Sequence, residues 1–460
     1  MPLIKSISGI RGTIGDRFGE DLTPKDIVLY TASYALWVKN NSIKENNKIV
    51  VGRDARISGE MVQGFVINTL ISMGFDVVSL NLSTTPTVEI AVTIEKADGG
   101  IIITASHNPK NWNALKLLNS KGEFLSASDG KEVLKIAETH HNELNKTVKK
   151  GELVEKENYI DIHIENILKL NLVDVESIKK KNYKIVVDAV NSTGGIAVPM
   201  LLDKLGVDVV KLYCDPTGEF PHNPEPLKEN LSDLSSLVIK EGADLGIVVD
   251  PDVDRLAFVC ENGDVFGEEY TLVACSDYVL NLQPGPTVSN LSSTRALKDI
   301  SDKHNCEYNS SAVGEVNVVE MMKKTNAIIG GEGNGGIILP QFHYGRDALV
   351  GIALFLSHLS KSGLKCSELR NNYPNYFMSK KKIEIDLNFK YDKMIIYFKE
   401  KYSKEKINLI DGLKIDFSDS WVQLRKSNTE PIIRIYSEAK TQDLADNIAN
   451  KFINEIEAIS

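Results

Sequence analysis

Cysteine is scarce in this sequence, and the few residues present are not paired. Five cysteines are scattered over 460 residues, with no C-x-x-C motif among them. An odd, dispersed set excludes a disulfide framework and a cysteine zinc site, and it is typical of reduced thiols in the cytosol. The sequence also lacks a basic and then apolar leader and an apolar run of membrane-spanning length. We therefore expect a cytoplasmic protein with no membrane partner.

Positive charge is also in the minority. The sequence has 53 Lys and Arg residues against 63 Asp and Glu, which gives a formal net charge of −10. A general nucleic-acid binder needs a basic face, so this balance argues against a nucleic-acid partner. A small anionic substrate is compatible with it, because a few local arginines can outweigh the charge of the whole chain.

What is present is the composition of ordinary globular domains, with 42% hydrophobic and 25% charged residues. At about 100–200 residues per domain, the length predicts three or four domains. Apolar runs alternate with helical segments in most of the chain, a pattern typical of βαβ units with mostly parallel sheets. Near residue 373 the pattern changes to antiparallel strands with two helices. The predicted α/β domains are 1–155, 156–258 and 259–372, and the predicted α+β domain is 373–460.

A strand-like run, residues 101–104, leads into a polar turn that holds Ser106 and His107 and stops at Pro109. Such a strand delivers a side chain to the carboxyl edge of a parallel sheet, where ligands of open α/β sheets bind. A hydroxyl held there can act as a covalent nucleophile if a neighbouring group activates it. The alternative is a helix N-cap or an Asx-type turn.

Three aspartates, Asp250, Asp252 and Asp254, follow the apolar run Leu245–Val249 directly. In an extended chain alternate residues share a face, so we expect the three carboxylates to converge and to repel one another unless a cation lies among them. Oxygen ligands in a small loop suit Mg²⁺. The loop is not an EF-hand, because the sixth-position glycine and the distal glutamate are missing. Arg255 lies beside it, and the alternative is a turn with aspartate caps.

Smaller signals lie elsewhere in the α/β part. Arg11 stands in a glycine-rich segment and offers a fork suited to phosphate oxygens. Lys116 follows Ser106 closely enough to return to the same edge, where a lysine can balance phosphate charge or transfer a proton. A glycine-rich turn at 330–336 holds Glu332 and Asn334, which suit sugar hydroxyl groups better than an anion. A surface turn, a solvated lysine and a plain tight turn are the respective alternatives.

The C-terminal part has one distinctive loop, Arg425–Pro431, with Arg434 beyond it. Cations combined with hydroxyl and amide donors at a turn match a dianionic phosphate group. A basic hairpin is the alternative interpretation.

Taken together, Thr104–Pro109, Asp250–Arg255, Gly331–Gly336 and Arg425–Pro431 resemble the α-D-phosphohexomutase superfamily of phosphoglucomutases, phosphomannomutases and phosphoglucosamine mutases. The resemblance covers essentially the whole chain, with the four motifs in the order and at about the spacing of the family. It implies three related mixed-sheet α/β domains and a C-terminal α+β domain around one central cleft. The three α/β segments show no obvious repeat at the residue level.

The resemblance also implies residue roles. Ser106 is the expected phosphoserine, Lys116 the first choice for proton transfer, Arg11 a flanking residue and His107 a supporting one. The expected Mg²⁺ ligands are Asp250, Asp252, Asp254 and the phosphate on Ser106. Glu332 and Asn334 are expected to contact the sugar hydroxyls. The expected phosphate-binding residues are Arg255, Arg425, Ser427, Asn428, Thr429 and Arg434.

The activity implied is an isomerase reaction on a phosphorylated hexose or hexosamine. A phosphoserine gives its phosphoryl group to the free sugar oxygen, and a bound 1,6-bisphosphate, which also serves as activator, returns the other phosphate to the serine. Mg²⁺ is the expected cofactor, and the protein is expected to be a monomer or homodimer. The segment 332–336 lacks the Ser and His of several bacterial members and is similar to archaeal-type phosphoglucosamine and phosphomannose mutases. The favoured activity is phosphoglucosamine mutase, with phosphomannomutase or phosphoglucomutase as the alternative. Alternatives of another class are an aspartate-based sugar phosphatase and a non-catalytic sugar-phosphate sensor.

Overall fold

The structure, a computed structural model, describes residues 3–6, 9–17, 19–42, 44, 46–139, 150–386, 389–427 and 431–459. In this part of the chain three mixed sheets and one antiparallel sheet form, each packed against helices. No helix among the described residues combines the length and the apolar character that crossing a membrane requires.

The first unit contains the largest sheet. Its strands are β1 Ile4–Ser6, β2 Gly9–Thr13, β3 Lys48–Arg53, β4 Asp76–Leu82, β5 Gly99–Ile103, β6 Trp112–Leu118 and β7 Leu153–Glu155. Its helices are α1 Pro24–Asn41, α2 Gly59–Ser72, α3 Thr85–Ile94 and α4 Ala127–Thr139. The strand order is β1-β2-β6-β5-β3-β4-β7, with β5, β3, β4 and β7 paired in parallel and β6 antiparallel to both neighbours.

Local sequence explains where the first unit's helices begin. Thr23 caps α1 and forms a reciprocal capping box with Asp26, and Pro24 occupies the first turn, where its missing N–H is not needed. Thr84 caps α3 in the same way through its side chain. β7 lies in a charged region that the sequence pattern does not mark as a strand. The side chains of β7 are all exposed, so only its backbone pairing with β4 defines it.

The second and third units each have a four-stranded sheet. The second contains strands β8 Lys184–Asp188, β9 Asp208–Leu212, β10 Leu245–Val249 and β11 Leu256–Cys260, and helices α5 Tyr159–Leu168, α6 Val175–Lys179, α7 Gly194–Lys204 and α8 Ser232–Glu241. The third contains strands β12 Thr287–Asn290, β13 Tyr308–Ser311, β14 Ile329–Glu332 and β15 Gly336–Ile338, and helices α9 Glu268–Leu282, α10 Ala296–Lys303, α11 Glu315–Thr325, α12 Ala348–Ser362 and α13 Cys366–Asn371.

These three units repeat one topology that the sequence does not reveal. The strand orders β6-β5-β3-β4, β11-β10-β8-β9 and β15-β14-β12-β13 are equivalent, with three parallel strands and one antiparallel strand. The antiparallel strand is at the edge of the sheet in the second and third units, and in the first unit β2 and β1 continue the sheet beyond it. After each antiparallel strand an isolated bridge closes a small hairpin; the three bridges are Leu118–Phe124, Val259–Val265 and Ile338–Arg346. The repeat therefore lies in strand order and hairpin position.

The C-terminal unit is an antiparallel sheet with two helices. Its strands are β16 Phe377–Glu384, β17 Lys406–Asn408, β18 Leu413–Asp416, β19 Trp421–Lys426 and β20 Ile432–Ala439, and its helices are α14 Tyr391–Lys401 and α15 Gln442–Ile459. The strand order is β16-β20-β19-β18-β17. The predicted fold, three related mixed-sheet α/β units and an α+β tail, is confirmed.

The hydrophobic cores divide differently from the sheets. The first unit and the C-terminal unit each bury their own clusters. The second and third units share one large cluster that runs from α5 to the end of α13. Its centre holds Phe258 of β11 stacked on Phe355 of α12, with ring centroids 3.8 Å apart, and Phe266 edge-on to both. The second and third units are therefore packed as one body.

Candidate active site

Ser106 lies in the loop between β5 and the antiparallel strand β6, at the carboxyl end of β5 as predicted. Its backbone has φ +49°, the left-handed region that costs a residue with a Cβ free energy and is often found at functional sites. The Ser106 N–H donates to Thr104 Oγ1 at 2.9 Å, and the Thr104 hydroxyl donates to Asp54 Oδ2 at 2.6 Å. The Ser106 hydroxyl is nearly buried and donates to Asp250 Oδ2 at 2.7 Å.

The three aspartates lie in the equivalent loop of the second unit, between β10 and β11. All three side chains are fully buried, and one ligand oxygen from each lies within 4.8 Å of the others. The expected reason for this convergence was wrong, because the loop is not extended. It folds into a turn in which Val253 has φ +63° and Asp250 Oδ1 accepts the N–H groups of Asp254 and Arg255, both at 3.1 Å.

Two cations neutralise this acidic loop. Lys116 Nζ on β6 lies 2.7 Å from Asp252 Oδ2 and 3.4 Å from Asp254 Oδ2, and Arg346 Nη2 lies 2.7 Å from Asp254 Oδ2. Burial alone would raise the pKa of Asp252, but the charge and hydrogen bond of Lys116 outweigh it and hold that pKa below its usual value. Burial and the two neighbouring carboxylates raise the pKa of Asp250 well above its usual value. Without a further cation the charged form of the third carboxyl, Asp250, is therefore disfavoured.

The same loop fits a hard divalent cation. Asp252 Oδ1 and Asp254 Oδ1 are buried, and within the described residues neither has a hydrogen-bond partner. Buried polar atoms are nearly always paired, so two such oxygens facing a shared acidic space indicate a missing cation. The donors are all oxygens, which Mg²⁺ prefers. The three aspartates are thus able to hold a metal ion.

The equivalent loop of the third unit is shorter than predicted. The glycine-rich segment is largely strand, since β14 ends at Glu332 and β15 begins at Gly336, and only three residues form the turn. Glu332 Oε1 accepts from Asn290 Nδ2 at 2.8 Å and from the N–H of Gly314 at 3.0 Å. The Asn334 side chain is half-buried and accepts the N–H of Gly336 at 3.2 Å.

Arginines from three units meet on another side of the site. Burial lowers the pKa of Arg11, and the charges of Arg255 and Arg434 lower it further, so these guanidinium groups act on one another. Arg11 Nε is buried and contacts no acceptor in the described part of the chain. Arg255 Nη1 pairs with Glu225 Oε1 at 2.8 Å. These groups leave a local excess of positive charge.

The C-terminal loop, Arg425–Pro431, is only partly described. Arg425 is directly opposite Arg434 in the β19–β20 pair, and its Nη1 lies 3.2 Å from Asp411 Oδ2. The Ser427 N–H donates to the carbonyl of Ile432 at 3.0 Å. Asn428 and Thr429, also predicted to bind phosphate, lie outside the described residues.

His107 is half-buried next to Ser106, with Nδ1 3.4 Å from the serine Oγ. Burial and the nearby charge of Arg255 lower the pKa of His107 to about 2. The imidazole is therefore neutral at physiological pH, which agrees with the supporting role expected from the sequence.

Two residues of the site were missed by the sequence analysis. Thr85, at the start of α3, donates its hydroxyl to Asp252 Oδ2 at 2.6 Å and its N–H to the Asp252 carbonyl at 2.9 Å. Arg346 bridges the second and third units, because it contacts Asp254 and also lies 3.2 Å from Glu332 Oε2. In the sequence, the only sign of either residue is its position in a polar segment at or just before the start of a helix.

A buried serine hydroxyl beside a metal-competent acidic loop, facing a group of arginines, defines a phosphoryl-transfer site. Known proteins agree with this class. Profiles of the phosphoglucomutase/phosphomannomutase α/β/α domains I, II and III match residues 4–144, 159–263 and 267–376, and the profile of the C-terminal domain matches residues 390–455. The chain belongs to the phosphoglucomutase/phosphomannomutase family, and it is a phosphohexomutase of the isomerase class.

Individual relatives extend over almost the full chain. A phosphoglucomutase/phosphomannomutase of Thermococcus kodakarensis is 38% identical over 94% of this chain and 95% of its own length. A phosphoglucosamine/phosphogalactosamine mutase of Sulfurisphaera tokodaii is 31% identical over 98% of this chain and 97% of its own. The crystal structure of a family protein from Burkholderia thailandensis, 24% identical, covers 99% of this chain and 98% of its own with a TM-score of 0.83, which shows the shared fold.

Proposed function

We propose that this phosphohexomutase interconverts 6-phospho and 1-phospho hexosamines through a phosphoserine at Ser106 and a bound 1,6-bisphosphate. The observation that carries the proposal is the 2.7 Å hydrogen bond from the Ser106 hydroxyl to Asp250, made at the edge of the acidic loop. A nucleophile placed there can receive and return a phosphoryl group without leaving the site. The left-handed backbone of Ser106 supports the proposal, because such conformations are often found at functional sites.

The chemistry expected of the chain's residues is positioning and charge neutralisation. Asp250, Asp252 and Asp254 would hold Mg²⁺, which when bound would neutralise phosphoryl oxygens. Burial opposes a charged Lys116, but Asp252 and Asp254 outweigh it and raise the pKa of the lysine above its usual value. A charged ammonium at this place suits both charge neutralisation and donation of a proton to the sugar oxygen.

Substrate recognition is proposed to divide between two loops. Glu332 and Asn334 would contact the sugar hydroxyls, and the arginines would hold the non-reacting phosphate together with Ser427, Asn428 and Thr429. Within the protein, Glu332 makes hydrogen bonds and an ion pair. A sugar hydroxyl would replace one of these partners or bind beside them. Because the bisphosphate must bind in two orientations, separate loops for the sugar and for the distal phosphate suit the reaction.

The C2 substituent of the sugar separates two candidate substrates. The sugar loop without Ser and His, and the hexosamine mutase of S. tokodaii at 31% identity, support glucosamine phosphate. The relative at 38% identity supports glucose and mannose phosphates as the second candidate. Interconversion of glucosamine, mannose and glucose 6-phosphates with their 1-phosphates, started with the matching 1,6-bisphosphate, decides between them. The preferred substrate is the one with the highest kcat/KM.

The covalent route is tested with Ser106→Ala. We expect loss of mutase turnover with an unchanged circular dichroism spectrum, because the phosphoryl acceptor is gone. Ser72→Ala, at the far end of α2, is the matched control and should retain full activity. Near-wild-type activity of Ser106→Ala would overturn the covalent route.

Intact-mass analysis after incubation with the bisphosphate adds a second readout. Phosphate on an aspartate of the 250–254 loop favours the sugar phosphatase. If neither wild type nor Ser106→Ala turns over substrate, the sensor is favoured. Cytoplasmic location and a monomeric or homodimeric state stay predictions.

A further inference from the structure

A fully buried arginine lies under the Ser106 loop and is not used by the proposed chemistry. Arg56 stands in the loop between β3 and α2, and its side chain is among the largest that the protein buries completely. Buried arginines are rare unless their charge and donors are satisfied. The contacts of Arg56 therefore indicate what this side chain does.

Each of the five guanidinium N–H groups of Arg56 has an acceptor. Nε donates to Asp54 Oδ2 at 3.0 Å. The other four donate to backbone carbonyls of a single loop: Nη1 to Pro109 at 2.6 Å and Trp112 at 3.1 Å, and Nη2 to Asn108 at 2.7 Å and to Ser106. A guanidinium has five donors in a rigid planar fork, so this loop is shaped around its complete donor set.

These contacts bear on the backbone of the nucleophile. Four carbonyl oxygens that converge on one point repel one another without a cation, so the loop conformation depends on Arg56. The Ser106 carbonyl is one of them, and Ser106 is the residue with φ +49°. A strained conformation persists only where its surroundings enforce it. Phe220 of the second unit covers the guanidinium, 5.0 Å from ring centroid to Cζ, which leaves the fork little room to move.

The other two repeats support their functional loops from the same place, but without charge. In the second unit Ser192 and Thr193 donate their hydroxyls to the carbonyl of Pro251, at 2.7 and 2.8 Å. In the third unit Ser293 Oγ accepts the N–H of Gly333 at 2.9 Å. In the described residues only the loop with the nucleophile is organised in this way by an arginine. The difference follows the function of the loop and not the topology, which is the same in all three.

We propose that Arg56 is a positioning residue for phosphoryl transfer: it fixes the backbone from Ser106 to Trp112 so that Ser106 Oγ faces the acidic loop. The proposal rests on the proposed role of Ser106. It assigns Arg56 no contact with the substrate. Loss of the fork should therefore slow the transfer step and leave substrate binding almost unchanged.

The test compares Arg56→Lys with wild type. Lysine keeps the positive charge but has three donors in place of five and no planar fork, so it cannot hold all the carbonyls. We expect kcat to fall about 10- to 100-fold, the effect of a small misplacement of a reacting group, with KM nearly unchanged. The kcat value is expressed per competent site, counted by intact mass as Ser106 that accepts phosphate from a hexose 1,6-bisphosphate. Arg53→Lys, on β3 with its Nε 2.8 Å from Gln63 Oε1, is the matched control and should match wild type.

The outcomes separate a positioning role from simple stability. An unchanged kcat per competent site in Arg56→Lys overturns the proposal, even if fewer sites are competent. If Arg56→Lys does not fold, Asp54→Asn replaces it, because this change weakens one of the five contacts of Arg56. Thr104→Val is measured beside it, because Asp54 Oδ2 also accepts the Thr104 hydroxyl. A kcat per site that is several-fold lower in Asp54→Asn than in Thr104→Val supports the proposal, and a value equal to that of Thr104→Val or of wild type overturns it. Active Ser106→Ala would instead overturn the covalent route itself, so failure of the two proposals is distinguishable.

Discussion

The site has two halves that handle charge in opposite ways. The transfer half consists of Ser106, Lys116 and the three aspartates of the 250–254 loop, and the anion half consists of Arg11, Arg255, Arg425 and Arg434. In the transfer half cations of the protein contact two of the three carboxylates. In the anion half Arg11 Nε has no acceptor among the described residues, and burial, followed by the charges of Arg255 and Arg434, lowers the pKa of Arg11.

This difference indicates what each half is organised to receive. The transfer half is stabilised internally, and within the described residues two of its buried oxygens still have no hydrogen-bond partner, which suits one small cation. The anion half carries repulsion between like charges that a phosphate group would relieve. It also explains how a protein with a net charge of −10 can bind an anionic substrate, because the local field at the arginines is set by near neighbours. We expect substitutions in the two halves to differ in kind.

The largest effect is expected in the transfer half, from Lys116→Met. The change leaves Asp252 and Asp254 without the lysine, in a buried place. We expect kcat to fall about 100- to 1000-fold, as when a group that stabilises developing charge is removed. The free energy of unfolding, measured in urea without added Mg²⁺, should fall by about 3–5 kcal/mol because a buried ion pair is broken.

The matched control for that variant is Lys110→Met. Lys110 forms an exposed ion pair with Glu219 at 2.6 Å, and such pairs contribute about 1 kcal/mol or less. Wild-type stability in Lys116→Met would contradict the view that the transfer half is stabilised by its own cations.

In the anion half Arg11→Met should have the opposite effect on stability. The variant removes repulsion with Arg255 and Arg434, so we expect a gain of below about 1 kcal/mol in the free energy of unfolding without substrate, a trade-off seen at binding sites. KM should rise about 10- to 100-fold, since hydrogen bonds to charged groups contribute about 1.5–3 kcal/mol each. Arg17→Met removes an arginine that pairs with Glu20 and Asp21 and should leave KM unchanged. If Arg11→Met is less stable than wild type and has a normal KM, the proposed difference between the two halves is contradicted.

A third contrast concerns Lys414, a buried cation outside both halves, for which we expect no effect on activity. Its Nζ donates to the Leu291 carbonyl at 2.8 Å and lies 4.0 Å from the Trp421 ring centroid, where the C-terminal unit meets the third. Burial lowers the pKa of Lys414 to about 8 from 10.5. Between these pH values the unfolded chain binds more protons than the folded one, so stability rises with pH. Below pH 8 both states are charged and the contribution is constant.

Lys414→Met tests this pH dependence. The stability of wild type relative to Lys414→Met should increase by about 3 kcal/mol from pH 7 to pH 10.5, measured by urea unfolding at each pH. The exposed Lys440→Met is the control, and its curve should run parallel to wild type. Parallel curves for Lys414→Met as well would show that the buried ammonium is not disfavoured.

The sequence predicted the fold and most of the residues around the site. The acidic loop was recognisable because three aspartates follow an apolar strand, and Ser106 because a run of isoleucines ends beside it. The way in which the three carboxylates converge was not predictable. It depends on a turn in which Val253 has a left-handed backbone, and nothing in the sequence marks a valine for that conformation. Likewise β7 was missed because its exposed side chains carry no apolar periodicity.

Other features depend on contacts between distant segments. Arg346 is 92 residues from Asp254 in sequence and Lys116 is 136 from Asp252, so neither pairing has a local signal. Arg56 was not singled out, because it contacts carbonyl oxygens, which exist at every residue and therefore leave no trace in the sequence. The relation between the three α/β units was expected only from the family resemblance, because strand order is conserved between the units while the side chains differ.

The hydrophobic cluster shared by the second and third units has a consequence for unfolding. Because Phe258, Phe266 and Phe355 interlock across the two units, neither can open without exposing the rings of the other. Hydrogen exchange should report these two units as one cooperative block, while the first and last units, with cores of their own, exchange separately. We expect the acidic loop and Glu332, which belong to this block, to keep their mutual positions when either of the other units opens.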